Sequence, residues 1–436
     1  MKSVTKLIEW VEQTWREWRR LISTIGADGM LAVAGLITGI LTARLLMPEG
    51  RGVLAAVLLW PRLFASIGSL GVGNGIVYYA GRSQTDEVPL SSLGGNLLGL
   101  SVLQGAVIAA AGYVATPYIL GDYPDAAVQM TRWLFLWAPF ARIYAYAMDL
   151  LHGLGEFHLW NVIRVGRKCL YAGSIVLLWW LGWTTAENIV WGFLGAEAAG
   201  LVVVSGYLVG RLQQLSFDFG VLKELLSYGL RDLLANLAGK ANHQMDQAIV
   251  SAWLSAESLG LYRVAVSGSK LLRPISAGFK KVLISDVSQA GSREEGDWMI
   301  TRSLRAAVPA LGLAALSAVV AMPFVVPLLF GSAYESATLS AQILCVAAGI
   351  MGVKQILYSG ARGHGQPEIP LWCELVALII TGAGLVTLLP ILGIEGAAIT
   401  SLVAYGGGLA MAFHLIKPAI AEGNEPETTG SKKSEN

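Results

Sequence analysis

Apolar residues run along this chain in long blocks, each close to the roughly 20 residues that a helix needs to cross a hydrocarbon core. Short polar turns punctuate them: "MPEGRG", "GRSQTDEVP", "LGDYPD", "HGLGEFH", "GWTTAEN", "RLQQLSFDFG", "LSAESLG", "AGSREEGD", "FGSAYE", "ARGHGQPE" and "LGIEG". This pattern predicts an all-α, polytopic membrane protein of about twelve helices. The spans fall near 22–46, 53–80, 90–120, 126–151, 158–182, 187–210, 222–254, 257–288, 298–330, 334–361, 368–392 and 395–417. No connection is long enough to fold alone. Composition agrees, with 54% hydrophobic against 14% charged residues, where soluble domains carry about 25% charged.

Residues 1–20 read differently. Val4, Leu7, Ile8, Val11, Trp15 and Trp18 recur at helical spacing, which predicts an amphipathic helix lying in the membrane interface on the cytoplasmic side. There is no apolar core or small-residue cleavage site of a signal peptide. Residues 21–210 form a first lobe, 211–221 a cytoplasmic linker and 222–420 a second lobe. The polar tail 421–436, "AEGNEPETTGSKKSEN", should be disordered. Lys2, Lys6, Arg16, Arg19 and Arg20 precede the first span, and Arg82, Arg211, Lys223, Arg293 and Arg362 sit in or beside even-numbered connections. That bias puts both termini in the cytoplasm.

The halves resemble each other. "MPEGRG" and "SAESLG" share Glu-x-x-Gly as Glu49/Gly52 and Glu257/Gly260, 208 residues apart. "GLGEFHLW" resembles "GHGQPEIPLW" at nearly the same offset. Six helices per half keep both halves in one orientation, so the expectation is two parallel six-helix lobes around a central cavity.

Polar residues interrupt the apolar blocks in stripes. Within "RDLLANLAGKANHQMDQ" (231–247), Asp232, Asn236, Lys240, His243, Asp246 and Gln247 fall inside an arc of about 120° at helical spacing. Several charges on one helix face cannot look at lipid, because one alone costs about 2.5–3.5 kcal/mol at mid-membrane. Arg263, Ser267, Lys270 and Lys281 share a face of the next span, flanked by Arg273 and Lys280. In the first half, Arg132, Arg142, Tyr146 and Asp149 share one side of the fourth span. Trp160, Asn161, Arg164, Lys168 and Tyr171 share one side of the fifth. Across the spans cations far outnumber acids, which are chiefly Asp28, Asp149, Glu197, Asp232, Asp246 and Glu374. Internal ion pairs would account for some of these charges but not for the surplus. A hydrated cavity with positive walls suits an anionic substrate, phosphate or diphosphate above all. Lys240, Arg263, Lys270 and Arg273 are therefore the candidates for binding a diphosphate or acidic sugars. Asn236, His243 and Gln247 would hydrogen-bond a glycan. Asp232 and Asp246 would pair with the cations or titrate in an ion-coupled cycle.

Other chemistry is thinly represented. Net charge is +1, so bulk charge does not point to nucleic acid. Cys169, Cys345 and Cys373 all lie in apolar segments with no C-x-x-C, and read as buried thiols. No catalytic, metal or cofactor constellation is visible. "GVGNG" (71–75) lacks both a preceding strand and a Walker lysine. The pairs Gly35/Gly39, Gly71/Gly75 and Gly95/Gly99 have helix-packing spacing. Pro61, Pro139, Pro274, Pro323 and Pro327 fall inside spans and can kink them.

"MDQAIVSAWLSAESLGLYRVAVSGSKLLRPISAGFKKVLISDVSQ" (245–289), with its Asp246 and "LGLYRVA", resembles the seventh and eighth helices of the polysaccharide transport family, the Wzx-like oligosaccharide flippases of the multidrug/oligosaccharidyl-lipid/polysaccharide (MOP) superfamily. "LTARLLMPEGRGVLAAV" (41–57) is similar to that family's first hairpin and "GIEGAAITSLVAY" (393–405) to the start of its last helix. The resemblance implies a MATE-like fold. It also implies a non-enzymatic flippase that carries undecaprenyl-pyrophosphate-linked oligosaccharides across the bacterial cytoplasmic membrane by alternating access. It further implies work alongside a glycan polymerase or ligase. The landmarks that carry it are mostly apolar or glycine positions, which fix fold better than substrate. A multidrug or cation antiporter of the same superfamily would want an acidic cavity. A lipid II flippase usually has two more helices. A membrane-embedded polymerase or ligase generally needs a sizeable outer loop.

Overall fold

The computed structural model describes the backbone of residues 2–83, 88–212, 214–242, 244–366 and 368–416, and within these the side chains outside 2–22, 25, 231–238, 240–241, 281–282 and 284–285. The regular structure of the described residues is helical. The order is α1 (Lys2–Gly68), α2 (Val72–Arg82), α3 (Leu90–Ile119), α4 (Asp125–Leu136), α5 (Ala138–Gly153), α6 (Phe157–Trp180), α7 (Ala186–Arg211), α8 (Phe219–Asn242), α9 (Met245–Trp253), α10 (Ala256–Ser269), α11 (Arg273–Gln289), α12 (Arg293–Phe330), α13 (Thr338–Gly363) and α14 (Glu368–Ile416).

Six stretches among these residues are long and apolar enough to cross a membrane: Gly26–Gly68, Leu90–Ile119, Ala186–Arg211, Arg293–Phe330, Ser332–Gly363 and Glu368–Ile416. Their apolar side chains mostly face outward. Only 22% of the most apolar window of Arg293–Phe330 is buried, and Leu313, Leu316, Phe324 and Leu328 on it are exposed. A folded chain in water would not leave so much apolar surface open; lipid covers it.

The first and last long helices each contain a non-helical residue, Met47 (φ 58°) and Gly393 (φ 58°), and both fall in connections expected between spans. Other expected spans are broken internally. The second span stops at Gly68 and restarts at Val72, because Leu70 and Gly71 take left-handed backbone. The fourth splits at Trp137, where Pro139 enters the first turn of α5 and removes a backbone donor. The eighth passes through a 3-10 turn, Lys270–Leu272, ahead of Pro274. The seventh ends as α8 at Asn242 and resumes as α9 at Met245.

Backbone contacts divide the chain into two units. The first holds residues up to Lys240, Gln247–Arg263 and Leu329–Ala333; the second holds Ala241–Asp246, Val264–Leu328 and everything from Tyr334. The first has a core of Ile76, Leu93, Tyr146, Leu151, Ile163 and Leu225 among others, and the second is built on Leu283, Ile300, Leu311, Ile356 and Leu357. Within the first unit the two Glu-x-x-Gly landmarks meet. A Cβ added to Gly52 would overlap the Ala256 carbonyl, and one added to Gly260 would overlap the Pro48 carbonyl. Pro48 and Ala256 hold equivalent places in the two motifs, so the contact is reciprocal, as a local two-fold requires. It also explains why both positions are glycine: no side chain fits between the two backbones.

Candidate functional site

A polar cavity bordered by described residues lies inside the first unit. Its volume is about 330 Å³, and α1, α4, α5, α6 and α7 wall it. Arg62 enters from the second half of α1, Arg167 and Lys168 from α6, and Glu197 from α7. Trp137, the residue at the α4–α5 break, and Tyr171 and Phe193 supply aromatic walls. Arg62 carries its guanidinium 5.6 Å from the Phe193 ring centre, and the Lys168 ammonium lies 5.5 Å from that of Tyr171. Arg167 forms an ion pair with Glu197 and also covers the Tyr144 ring at 4.9 Å. Three cations thus share the cavity with one acid. Arg62 and Lys168 lie near enough to repel each other. The indole N–H of Trp137 and the Nε–H of Arg167 are buried with no acceptor among the described residues. Buried donors normally have partners, so this cavity is short of acceptors as well as of negative charge.

Around it the other first-half cations are engaged. Arg142 is buried, donates to the Ala65 carbonyl (3.4 Å) and lies over Tyr146, whose hydroxyl donates to Gln104. Arg132 covers Tyr113. Arg164 pairs with Asp28 at 2.9 Å and stacks over Trp160 at 4.0 Å. Asn161 is buried and donates to Thr24 (3.3 Å).

The second unit holds a different polar cluster. Lys354 of α13 is 0% exposed and pairs with Glu374 of α14 at 2.9 Å. The second carboxylate oxygen of Glu374 accepts from Asn242 (2.8 Å), and the Asn242 oxygen accepts from Thr381 (2.8 Å). The rings of Tyr358 and Tyr405 stand 5.4 and 5.1 Å from the ammonium. Gly408 leaves room for the lysine stem, since a Cβ there would come within 3.3 Å of its Cδ.

The predicted stripe is only partly reassembled. Arg263 donates to Gln247, joining α10 to α9 within the first unit, and Gln247 is buried. Asp246 is buried in the second unit, where it and Arg273 both act electrostatically on the Tyr405 hydroxyl. Lys270 and Arg273 are exposed in the second unit, and Lys280 donates to Gln355 at 2.9 Å. Arg263 belongs to the first unit and Lys270 to the second, and a 3-10 turn, Lys270–Leu272, follows α10. The side chains of Asp232, Asn236, Lys240 and Lys281, and all of His243, lie outside the described residues. The expected polar faces of residues 1–20 and the tail 421–436 also lie outside them. Cys345 and Cys373 are buried as expected, but Cys169 is exposed.

Comparison with known proteins settles the family. A family model described as polysaccharide biosynthesis protein matches residues 41–339. The chain belongs to that family. The match includes Arg62, Arg167, Lys168, Glu197 and Arg263 of this polysaccharide biosynthesis protein, whereas Lys354 and Glu374 lie beyond it. It is 21% identical over 290 residues to the probable low-salt glycan biosynthesis flippase Agl15 of Haloferax volcanii (63% of this chain, 58% of that protein). It is 22% identical over 171 residues to the teichuronic acid biosynthesis protein TuaB of Bacillus subtilis strain 168 (38% and 35%). The chain therefore spans less than two thirds of the length of either relative. Its fold is similar to the inward-facing conformation of a multidrug resistance MATE family transporter of the MOP superfamily (TM-score 0.74, 17% identity, 89% and 94% covered). It is also similar to the lipid II flippase MurJ in an inward closed conformation (TM-score 0.71, 12% identity, 91% and 87% covered). At these identities the two structures show the MOP transporter fold and nothing finer.

Proposed function

We propose that this protein is a flippase that moves a polyprenyl-diphosphate-linked oligosaccharide, with undecaprenyl as the carrier, from the inner to the outer leaflet of a bacterial cytoplasmic membrane. On this reading two six-helix lobes, 21–210 and 222–420, alternate access, both termini are cytoplasmic, and a glycan polymerase or ligase consumes the product. The observation that carries the reading is the cationic cavity of the first unit, with Arg62, Arg167 and Lys168 facing the single acid Glu197. Unpaired cations in a low-dielectric interior are costly unless an anion is offered. A glycan flippase relative and membership of a polysaccharide biosynthesis family fit an anionic glycolipid as that anion. A cation antiporter would need the opposite balance of charge. Arg263 with Gln247 is a second polar contact point for the substrate, and Lys240, Lys270, Arg273, Asn236, His243, Asp232 and Asp246 remain candidates from their helical positions.

Leaflet exchange in proteoliposomes tests this. A fluorescent prenyl-diphosphate oligosaccharide should exchange with wild type and lose most exchange with Lys168→Ala or Arg263→Ala at equal membrane abundance. Absence of exchange by wild type, together with uptake of an organic cation, would overturn the reading.

A further inference from the structure

The flippase reading leaves open which part of the glycolipid the first-unit cavity holds. Resting on that reading, we propose that it is a subsite for one sugar unit bearing a single carboxylate, and not the seat of the diphosphate. Four features of the cavity carry this.

Arg167 is already neutralised by Glu197, so Arg62 and Lys168 are the cations left to a ligand. They repel each other, and one carboxylate between them relieves that repulsion. Arg62 offers the planar fork that a carboxylate matches. The second feature is Glu197 itself. It is largely buried, with 12% of its side chain exposed, and it accepts hydrogen bonds only. A fully ionised diphosphate has no donor to offer it and brings more like charge beside it than one carboxylate does. A sugar brings hydroxyl donors. The third feature is the pair of donors without acceptors, the Trp137 indole N–H and the Arg167 Nε–H, which sugar oxygens can satisfy. The fourth is the aromatic wall of Trp137, Tyr171 and Phe193, against which the C–H face of a pyranose packs and a diphosphate gains nothing. The cavity of about 330 Å³ sits at the small end of ligand pockets, which run from about 300 to 1,000 Å³. It suits a sugar unit better than a whole oligosaccharide. Acceptor, donors, cations and aromatic faces together make a carbohydrate site of mixed character, where a diphosphate site would be cationic throughout.

Saturation-transfer NMR on the full-length protein in nanodiscs reads this directly, with methyl glucuronide, methyl glucoside and inorganic pyrophosphate as probes. Methyl glucuronide should show transfer to its ring protons. Arg62→Gln or Lys168→Gln should weaken its binding about tenfold, as expected for a lost charged hydrogen bond. Methyl glucoside should bind as weakly to wild type as the glucuronide binds to those variants. Trp137→Phe keeps the aromatic face and removes the N–H, and should cost a few-fold. Pyrophosphate should compete poorly against wild type and better against Glu197→Gln, which removes the repelling charge. Equal binding of glucoside and glucuronide, or pyrophosphate competing more strongly than the glucuronide with wild type, would overturn the subsite. The flippase reading fails separately. Glucuronide binding without leaflet exchange of any prenyl-diphosphate glycan upholds the subsite and removes the flippase, whereas exchange with no sugar binding does the reverse.

Discussion

The two units each enclose charged residues at membrane depth, and they balance them differently. In the second unit one lysine meets one glutamate: Lys354 pairs with Glu374, whose other oxygen takes a hydrogen bond from Asn242, which in turn accepts from Thr381. In the first unit three cations meet one acid, and two buried donors find no acceptor among the described residues. The first arrangement is balanced in charge, one cation to one acid. The second is open, and its deficit describes what would complete it. Burial differs as well: Lys354 is fully enclosed, whereas Arg62 is exposed and Arg167 and Lys168 are half-buried. What separates a staple from a binding site here is the balance of charge, together with burial.

The largest test of this contrast removes one partner from the closed pair. Lys354→Met leaves the Glu374 carboxylate buried without its cation, and stranding one member of a buried pair costs about 3–5 kcal/mol. The thermal midpoint of the purified protein should fall sharply. Lys354→Met combined with Glu374→Leu removes both charges and should recover most of the loss, since replacing a whole buried pair by apolar groups is often neutral. A double variant as unstable as the single one would mean that the pair does more than hold α13 to α14.

Asn242→Ala tests the next link. It takes a donor from a charged oxygen in the same cluster, a loss of about 1.5–3 kcal/mol. It also unpins the end of α8, three residues before α9 begins. Chemical denaturation should show a drop smaller than that of Lys354→Met. A larger drop would place the stability of the cluster in the asparagine and not in the ion pair.

Much of the fold was legible because apolar length and turn residues act locally. The long helices, the polar connections and the Glu-x-x-Gly repeat all come from such signals, and the repeat reappears as the reciprocal contact of Gly52 and Gly260. The breaks at Leu70, Trp137 and Lys270 were not legible, although Gly71, Pro139 and Pro274 stood beside them. A proline or glycine in an apolar run predicts a kink without saying whether the helix stops. The site was read from stripes, which favoured the crowded segment 231–247. That logic found Lys168 and Tyr171 on one face of α6. It passed over Arg62, a single charge in an apolar run, and Trp137, which reaches the cavity only because the helix breaks there. Arg167 lies about 100° around the helix from Lys168 and looked like a different face. Cavities collect one residue from each of several helices, and no single helix carries that pattern. The Lys354–Glu374 pair was half seen, with Glu374 counted among the acids and its partner unassigned.

Two glycines allow the contrast to be sharpened without touching charge. Gly408 leaves space for the Lys354 stem, with 3.3 Å to its Cδ, and Gly200 does the same for Arg167, with 3.2 Å to its Cδ and 3.1 Å to a Tyr144 ring carbon. Overpacking a well-filled core costs about 1–3 kcal/mol. Gly408→Ala should pay within that range, because Lys354 is fully enclosed and has nowhere to go. Gly200→Ala should cost less stability, because Arg167 borders open volume and can swing into it. Its effect should appear as slower leaflet exchange. Equal destabilisation by the two would mean that the first-unit cavity is as rigid as the second-unit staple.

The smallest expected change in stability is the most discriminating. Arg62 borders the cavity and, among the described residues, has no carboxylate within ion-pair distance. Replacing it with Gln strands no opposite charge and removes a cation that repels Lys168. The stability read from thermal unfolding should therefore stay within about 0.5 kcal/mol of wild type, as for substitutions that leave no cavity and no orphaned charge, or rise. Transport should fall all the same, because the open balance has lost one of its two uncommitted cations. Those two readouts move together for a structural arginine and apart for a binding one. A loss of stability approaching that of Lys354→Met would show Arg62 to be held by partners of its own, and the two units would then differ in degree only.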